Sequence, residues 1–193
     1  KYRACYSKVE TTNNINDIKH PAVREVIRKY GNDMSIETSH VGDLPSRSGI
    51  GSSSAFTVGL INSMNALQGR YLGKSKLAEA AINIEQKEMK EIVGIQDQCA
   101  AAFGGMVYIE ADKQSIRPRK FVSRKEYLNY ICENTLLGFD GNERFSGDSS
   151  IKIKKNIKER NKTSIMEELA LLSEKGIEEF GNEADIKEHA ELT

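Results

Sequence analysis

Between Asp43 and Phe56 the chain reads DLPSRSGIGSSSAF, and its GIGSSS run, Gly49 to Ser54, stands directly before an apolar segment. Glycine and serine are poor helix formers, so local stability does not ask for them at the mouth of a buried helix. The apolar positions Phe56, Val58, Leu60, Ile61, Met64 and Leu67 fall on nearly all sides of a helix running from about Ser53 to Leu67. Such a helix is buried against other elements. Upstream, Met34 to Val41 alternates as a strand does. A strand that enters a glycine-rich turn and then a helix presents free N–H groups at the positive end of the helix dipole, which makes an anion site. Gly49 and Gly51 allow positive φ and a close backbone approach, and Ser52, Ser53 and Ser54 add hydroxyls. The other reading is a plain serine-capped helix after a tight turn.

The loop is neither of two familiar phosphate binders. No lysine follows the glycines, so it is not G-x-x-x-x-G-K-[ST], and the third glycine of the dinucleotide fingerprint is missing. Without a lysine, a bound phosphate must be neutralised by the helix and a metal, and a carboxylate belongs nearby. Two candidates follow. Glu85, in AAINIEQKE, lies late in a helix expected from Ser75 to about Lys90, with Ser75 as its cap and Leu77, Ala80, Ala81 and Ile84 inward. On the apolar face Glu85 needs a partner such as a metal; on the other it points outward with Lys87 and Glu88. Asp97, in VGIQDQCAAAFGG, suits a proton acceptor, or else the N-cap of an Ala-rich helix.

The rest of the pattern mixes strands and helices. Residues 2–10 read as a strand, the segment after Pro21 as a helix, Gly31-Asn32-Asp33 as a turn, and Met106–Ala111 and Thr135–Asp140 as strands. Ile151–Lys158, Ile165–Phe180 and Asp185–Leu192 read as helices. An α+β protein is expected, with a boundary near residue 133 where the pattern turns helix-rich. The 193 residues carry 28 basic and 28 acidic side chains, which argues against nucleic-acid binding through a global basic field. The basic stretches 117–125 and 152–162 read as solvated faces, with a basic lip beside an anionic substrate as the sharper reading. No apolar run is long enough to span a membrane, and no signal-peptide pattern is present. Cys5, Cys99 and Cys132 form no disulfide framework or zinc pattern; three buried thiols in a reducing, cytoplasmic setting are expected.

Three motifs in order resemble one family. PSRSGIGSSSA (Pro45–Ala55), the glutamate of IEQKE and the aspartate of GIQDQCAAAFGG resemble the motifs of the GHMP kinases, the galactokinase, homoserine kinase, mevalonate kinase and phosphomevalonate kinase superfamily. HPAVREV upstream and DLPS before the loop look most similar to the D-glycero-D-manno-heptose phosphate kinases and related sugar kinases. The resemblance runs over roughly residues 1–180. It implies an N-terminal domain of the ribosomal protein S5 domain 2 type over 1–132, with first strands missing, and the truncated start of a ferredoxin-like C-terminal domain over 133–193. It also implies ATP and Mg²⁺ as cofactors. Gly49, Ile50, Gly51, Ser52, Ser53 and Ser54 match the loop around the triphosphate, Ser53 and Glu85 the magnesium ligands, and Asp97 the residue that orients or deprotonates the acceptor hydroxyl. Arg144, in FDGNERFSGDSS, matches an arginine that meets the substrate's own phosphate, although Asp140 stands where a small hydroxyl residue is more common. Gly104 and Gly105 are structural in this reading, and Arg47 reaches solvent.

The implied reaction is phosphoryl transfer from ATP to a sugar hydroxyl, at the anomeric position of a heptose 7-phosphate. The alternatives are another acceptor (fucose, galactose or a mevalonate-type alcohol), an inactive sugar- or nucleotide-binding sensor on the same fold, and a helix-rich interaction domain. A monomer or homodimer with a small-molecule substrate is expected, without a nucleic-acid or membrane partner. The family's first and third motifs fall outside Lys1–Thr193, so the chain by itself is expected to be a poor enzyme.

Overall fold

The computed structural model describes residues 1–43, 48–112, 114–139, 141, 155 and 163–182. The chain opens with β1 (Tyr2–Cys5) and β2 (Val9–Thr12), then α1 (Pro21–Tyr30), β3 (Ile36–Ser39), α2 (Ser52–Leu67) and α3 (Lys74–Asn83). A π-turn (Ile84–Glu88) ends α3, and α4 (Gln96–Phe103), β4 (Val107–Ala111), β5 (Ile116–Lys120), α5 (Lys125–Glu133) and α6 (Thr163–Asn182) follow. The architecture is mixed α and β, as the sequence pattern implies.

One three-stranded sheet has the order β2-β1-β3, antiparallel between β1 and β2 and parallel between β1 and β3. Tyr2 pairs with Thr12 on one side and Ile36 on the other. The segment read as a single strand over 2–10 is therefore a hairpin. Its chain reverses at Tyr6–Lys8, where Tyr6 N–H donates to Lys8 O at 2.8 Å. Continuous alternation on either side of a three-residue turn hides the reversal. A second, two-stranded sheet pairs β4 with β5, Val107 opposite Lys120 and Pro118 opposite Ile109. β5 occupies the stretch read only as a basic cluster; its Arg117 and Arg119 bridge to Glu110, and Arg117 to Asp112. Proline is tolerated there because an edge strand has a free N–H side.

The core lies where α1, α2, α3 and the π-turn meet the first sheet. Val26, Ile61, Ala81 and Ile84 are completely buried there, with Ala4, Ile18, Ile27 and Ile36 around them. A smaller cluster, Ala78, Ile82 and Cys99 with Ile95, Phe103 and Ile109, ties α3 to α4 and β4. The all-round apolar pattern of α2 is only partly used. Leu67 is exposed, while Thr57 and Asn65 are buried and donate back to Ser53 O at 3.2 Å and Ile61 O at 2.8 Å. The N-cap of α3 is Gly73 and not Ser75, so that helix begins without a side-chain cap. Of the three cysteines only Cys99 is fully buried; Cys5 is half-buried and Cys132 exposed. Cys132 sits on α5, a helix the sequence pattern did not announce, and residues 135–139 form no strand. Apart from Lys155, the helices expected at 151–158 and 185–192 and the residues Asp140 and Arg144 lie outside the described residues. Among the described residues no helix is long and apolar enough to cross a membrane.

α1 starts in an unusual way. His20 is its N-cap, and Nδ1 accepts from Val23 N–H at 3.4 Å, so that nitrogen must carry no proton. The ring meets Tyr6 edge-on at 4.8 Å and Phe56 at 5.2 Å, and His40 lies on Phe56 at 4.8 Å. Burial pushes the His20 imidazole below its ordinary value; the Glu10 carboxylate pulls it back up and His40 adds to the fall. A histidine depressed in the folded state leaves the unfolded chain the better proton binder, so stability rises with pH through this window. The contribution is complete above pH ~6.5 and drains away as pH falls from there toward the depressed value. Urea midpoints are expected to drop between pH 7.5 and 5.5, and His20→Asn, which caps without titrating, is expected to flatten that drop. In the core, Ile61→Ala is expected to cost about 2–5 kcal/mol in the same assay, whereas Leu67→Ala, 61% exposed, is expected to fall within about 0.5 kcal/mol of the parent.

Candidate active site

The glycine-serine loop does what its composition suggests at the backbone level. Gly49 has φ 79° and Gly51 φ 72°, left-handed values that cost a side-chain-bearing residue strain. Gly51 is the N-cap of α2, and with no side chain it caps nothing. The first intrahelical bond runs from Ala55 N–H to Gly51 O at 2.9 Å. The amides of Ser52, Ser53 and Ser54 thus open the helix without a side-chain acceptor from the cap, at the positive end of its dipole. The three serines are not equivalent: Ser52 is half-buried, Ser53 exposed and Ser54 buried.

Ser54 turns inward because Glu85 is there. The Glu85 carboxylate is only 2% exposed. It does not point outward with Lys87 and Glu88. Its Oε2 accepts from Ser54 Oγ at 3.0 Å and also from Gln98 Nε2. Among the described residues its Oε1 has no hydrogen-bond partner, and neither has Gln98 Oε1, although both are buried. Backbone geometry brings Glu85 in. The chain from Ile84 widens into a π-turn closed by Met89 N–H to Ile84 O at 2.9 Å, followed by Glu91 N–H to Glu85 O at 2.9 Å. Ile84 anchors that turn in the core. Lys90 at φ 58° then reverses the chain, and Gln86 Nε2 donates to Val93 O at 3.0 Å, fixing the approach to α4. A single π-turn inside a helix is a recurrent mark of functional positions.

Asp97 is the second residue of α4, not its cap; the cap is Ile95. Its side chain is exposed and accepts no hydrogen bond from the described residues. It packs on the bare Cα of Gly51, where an added Cβ would lie 3.1 Å from Asp97 Cγ. The starts of α2 and α4 therefore meet at a glycine, with one free carboxylate on the outside and one buried carboxylate behind. Gly104 and Gly105, at φ 68° and 70°, turn the chain from α4 into β4. Arg144, Arg47 and Pro45 lie outside the described residues. Gln98 was missed by sequence reasoning: it follows the conspicuous Asp97, and about 100° of helical turn takes it from the exposed face to a buried one.

No group of three or more His, Cys, Asp or Glu side chains among the described residues forms a ready cage for a metal. One carboxylate with a bare buried oxygen beside a serine-rich helix start is nevertheless a donor set that fits Mg²⁺, which binds through one or two carboxylates and substrate phosphates.

Residues 16–105 match the family model described as the GHMP kinases N terminal domain, a span that contains the loop, Glu85 and Asp97 and ends at Gly105. This segment is a GHMP kinase N-terminal domain. Over 77 residues the chain is 36% identical to a D-glycero-alpha-D-manno-heptose 7-phosphate kinase of Campylobacter jejuni, covering 40% of this chain and 23% of that protein. The fold resembles the crystal structure of a D-glycero-D-manno-heptose 1-phosphate kinase from Bacteriodes thetaiotaomicron, with TM-score 0.60 and 21% identity, over 67% of this chain and 47% of that one. The chain thus spans about a quarter of the curated relative and just under half of the solved one.

Within this GHMP kinase domain, Gly51→Ala is expected to lower unfolding free energy by about 1–2 kcal/mol through its left-handed φ alone, and to push Asp97 aside. Gly59→Ala, on the same helix with open space around the new methyl, is expected to be neutral or to stabilise by about 0.5–1 kcal/mol. Chemical denaturation of the two variants checks the contrast.

Proposed function

We propose that the chain is the nucleotide-binding part of an ATP-dependent sugar kinase of the GHMP family, whose acceptor is a heptose 7-phosphate phosphorylated at its anomeric hydroxyl. The observation that carries this reading is the contact of Asp97 with Gly51, which puts a free carboxylate at the lip of the loop that opens α2. An acceptor hydroxyl beside Asp97 would then lie next to a phosphoryl group held at that helix start.

In this reading the backbone of Gly49, Ile50, Gly51, Ser52, Ser53 and Ser54 cradles the triphosphate. Catalysis of phosphoryl transfer is mostly positioning and electrostatic stabilisation, which oriented amides and a helix dipole supply without reorganisation. Ser53 and Glu85 hold Mg²⁺, which when bound neutralises charge on the phosphate oxygens. Asp97 orients the sugar hydroxyl and takes its proton. Arg144 meets the phosphate that the sugar already carries. The name of the Campylobacter jejuni relative favours the heptose 7-phosphate acceptor over fucose, galactose or mevalonate-type alcohols. The division into an S5 domain 2-like unit over 1–132 and the opening of a ferredoxin-like unit over 133–193 belongs to the same proposal.

The test is ATP consumption with Mg²⁺ by the protein against heptose 7-phosphate, fucose, galactose, mevalonate and homoserine. Turnover is expected with heptose 7-phosphate, and turnover with a different acceptor alone would discard the substrate while keeping the reaction. Asp97→Asn is expected to lower kcat by about 10²–10⁴-fold, and a loss below tenfold would remove Asp97 from its role. Glu85→Gln is expected to raise the Mg²⁺ concentration needed for half-maximal rate; an unchanged requirement would reject the metal assignment.

A further inference from the structure

The hydrogen bonds on Glu85 are lopsided. Ser54, from α2, and Gln98, from α4, both donate to the same oxygen, Oε2. The other oxygen, Oε1, is buried and receives nothing from the described residues. Leaving an ionised carboxylate oxygen bare inside a protein is costly, and two donors within reach would ordinarily divide between the two oxygens. The Gln98 amide is itself only 1% exposed, and its orientation is forced: turned over, its carbonyl oxygen would face a carboxylate. Its own Oε1 is bare as well, so what the site lacks is a positive or proton-bearing group and not another acceptor.

We infer that Gln98 and Ser54 are positioning residues that pin Glu85 through Oε2 and so reserve Oε1 as the single metal-binding atom of this side chain. Both come from the first turns of the two helices that meet at Gly51. The clamp therefore ties the direction of the Glu85 carboxylate to the relative placement of the loop helix and the Asp97 helix. A shift of either helix would turn the ligand atom away. This inference rests on the metal role of Glu85 proposed above. It adds two side chains that face Glu85 rather than nucleotide or acceptor and that set how tightly the metal is shared between protein and phosphates. Hydrogen-bond partners behind a metal ligand typically contribute about 10–100-fold to metal affinity.

The experiment is calorimetric titration of ATP into the protein with and without Mg²⁺, which gives the factor by which the metal tightens ATP binding. Three variants are compared with the parent: Glu85→Gln, Gln98→Met and Ser54→Ala. Glu85→Gln is expected to abolish the tightening. Gln98→Met keeps the volume and loses the donor; it is expected to cut the tightening about tenfold while ATP affinity without metal and the unfolding midpoint stay at parental values. A merely structural Gln98 would lower ATP affinity equally with and without Mg²⁺, which would overturn the inference. If Glu85→Gln abolishes the tightening but Gln98→Met keeps it whole, the clamp is wrong and the metal assignment stands. If Glu85→Gln keeps it, the metal assignment falls and the clamp with it. Should Gln98→Met fail to fold, Ser54→Ala removes the other donor to the same oxygen; full tightening in that variant would overturn the clamp, and a reduced tightening factor would support it.

Discussion

A carboxylate with 2% of its surface exposed organises the centre of this domain. Withdrawing an ionised side chain from water costs several kcal/mol even after relaxation, unless hydrogen bonds or an opposite charge offset it. Glu85 meets that demand with donors from two other elements, Ser54 on α2 and Gln98 on α4. Three consecutive helical segments are thereby held by one acid. The core beneath supplies the leverage: Ile84 is fully buried, and the widened π-turn carries its neighbour Glu85 toward the helix starts instead of out toward solvent.

The second organising contact is the absence of a side chain at Gly51. Its left-handed φ begins α2, and its bare Cα lets Asp97 of α4 come into contact. These are separate reasons for glycine at one position, one conformational and one steric. Together they bring two helix N-termini to a common point. One carboxylate is then free at the surface and one is locked behind it, so the two acids of the site have opposite environments. That difference suits the different tasks proposed for them, with the exposed Asp97 facing an acceptor and the buried Glu85 holding a cation.

The helices with strong period were legible because their apolar faces are set by local spacing. α1 after Pro21 and α2 from Ser52 to Leu67 fall close to where the pattern puts them. The hairpin over β1 and β2 was not, because a strand and its return share the same alternation and only the cross-strand pairing of Cys5 with Val9 distinguishes them. β5 hid behind its charge: Arg117 and Arg119 read as a solvated cluster until their acidic partners on and beside β4 are known. The supposed serine cap of α3 failed for a related reason. A helix start depends on the backbone angles of the residue before it, here Gly73, and not on the nearest capable side chain.

For the site, the sequence by itself determined the chemistry on offer: a glycine-serine loop before a helix, and acids at Glu85 and Asp97 in an order that resembles one kinase superfamily. Those features are local, since left-handed glycines, serine hydroxyls and helix-start amides act through their own backbone. Only the tertiary structure decided which way each side chain faces. It buried Glu85, left Asp97 exposed, selected Ser54 over Ser53 as the hydroxyl on Glu85, and brought in Gln98. The reason is that a π-turn changes the angular register of a helix by a fraction of a turn, and the direction of every side chain around it follows from packing between elements far apart in sequence.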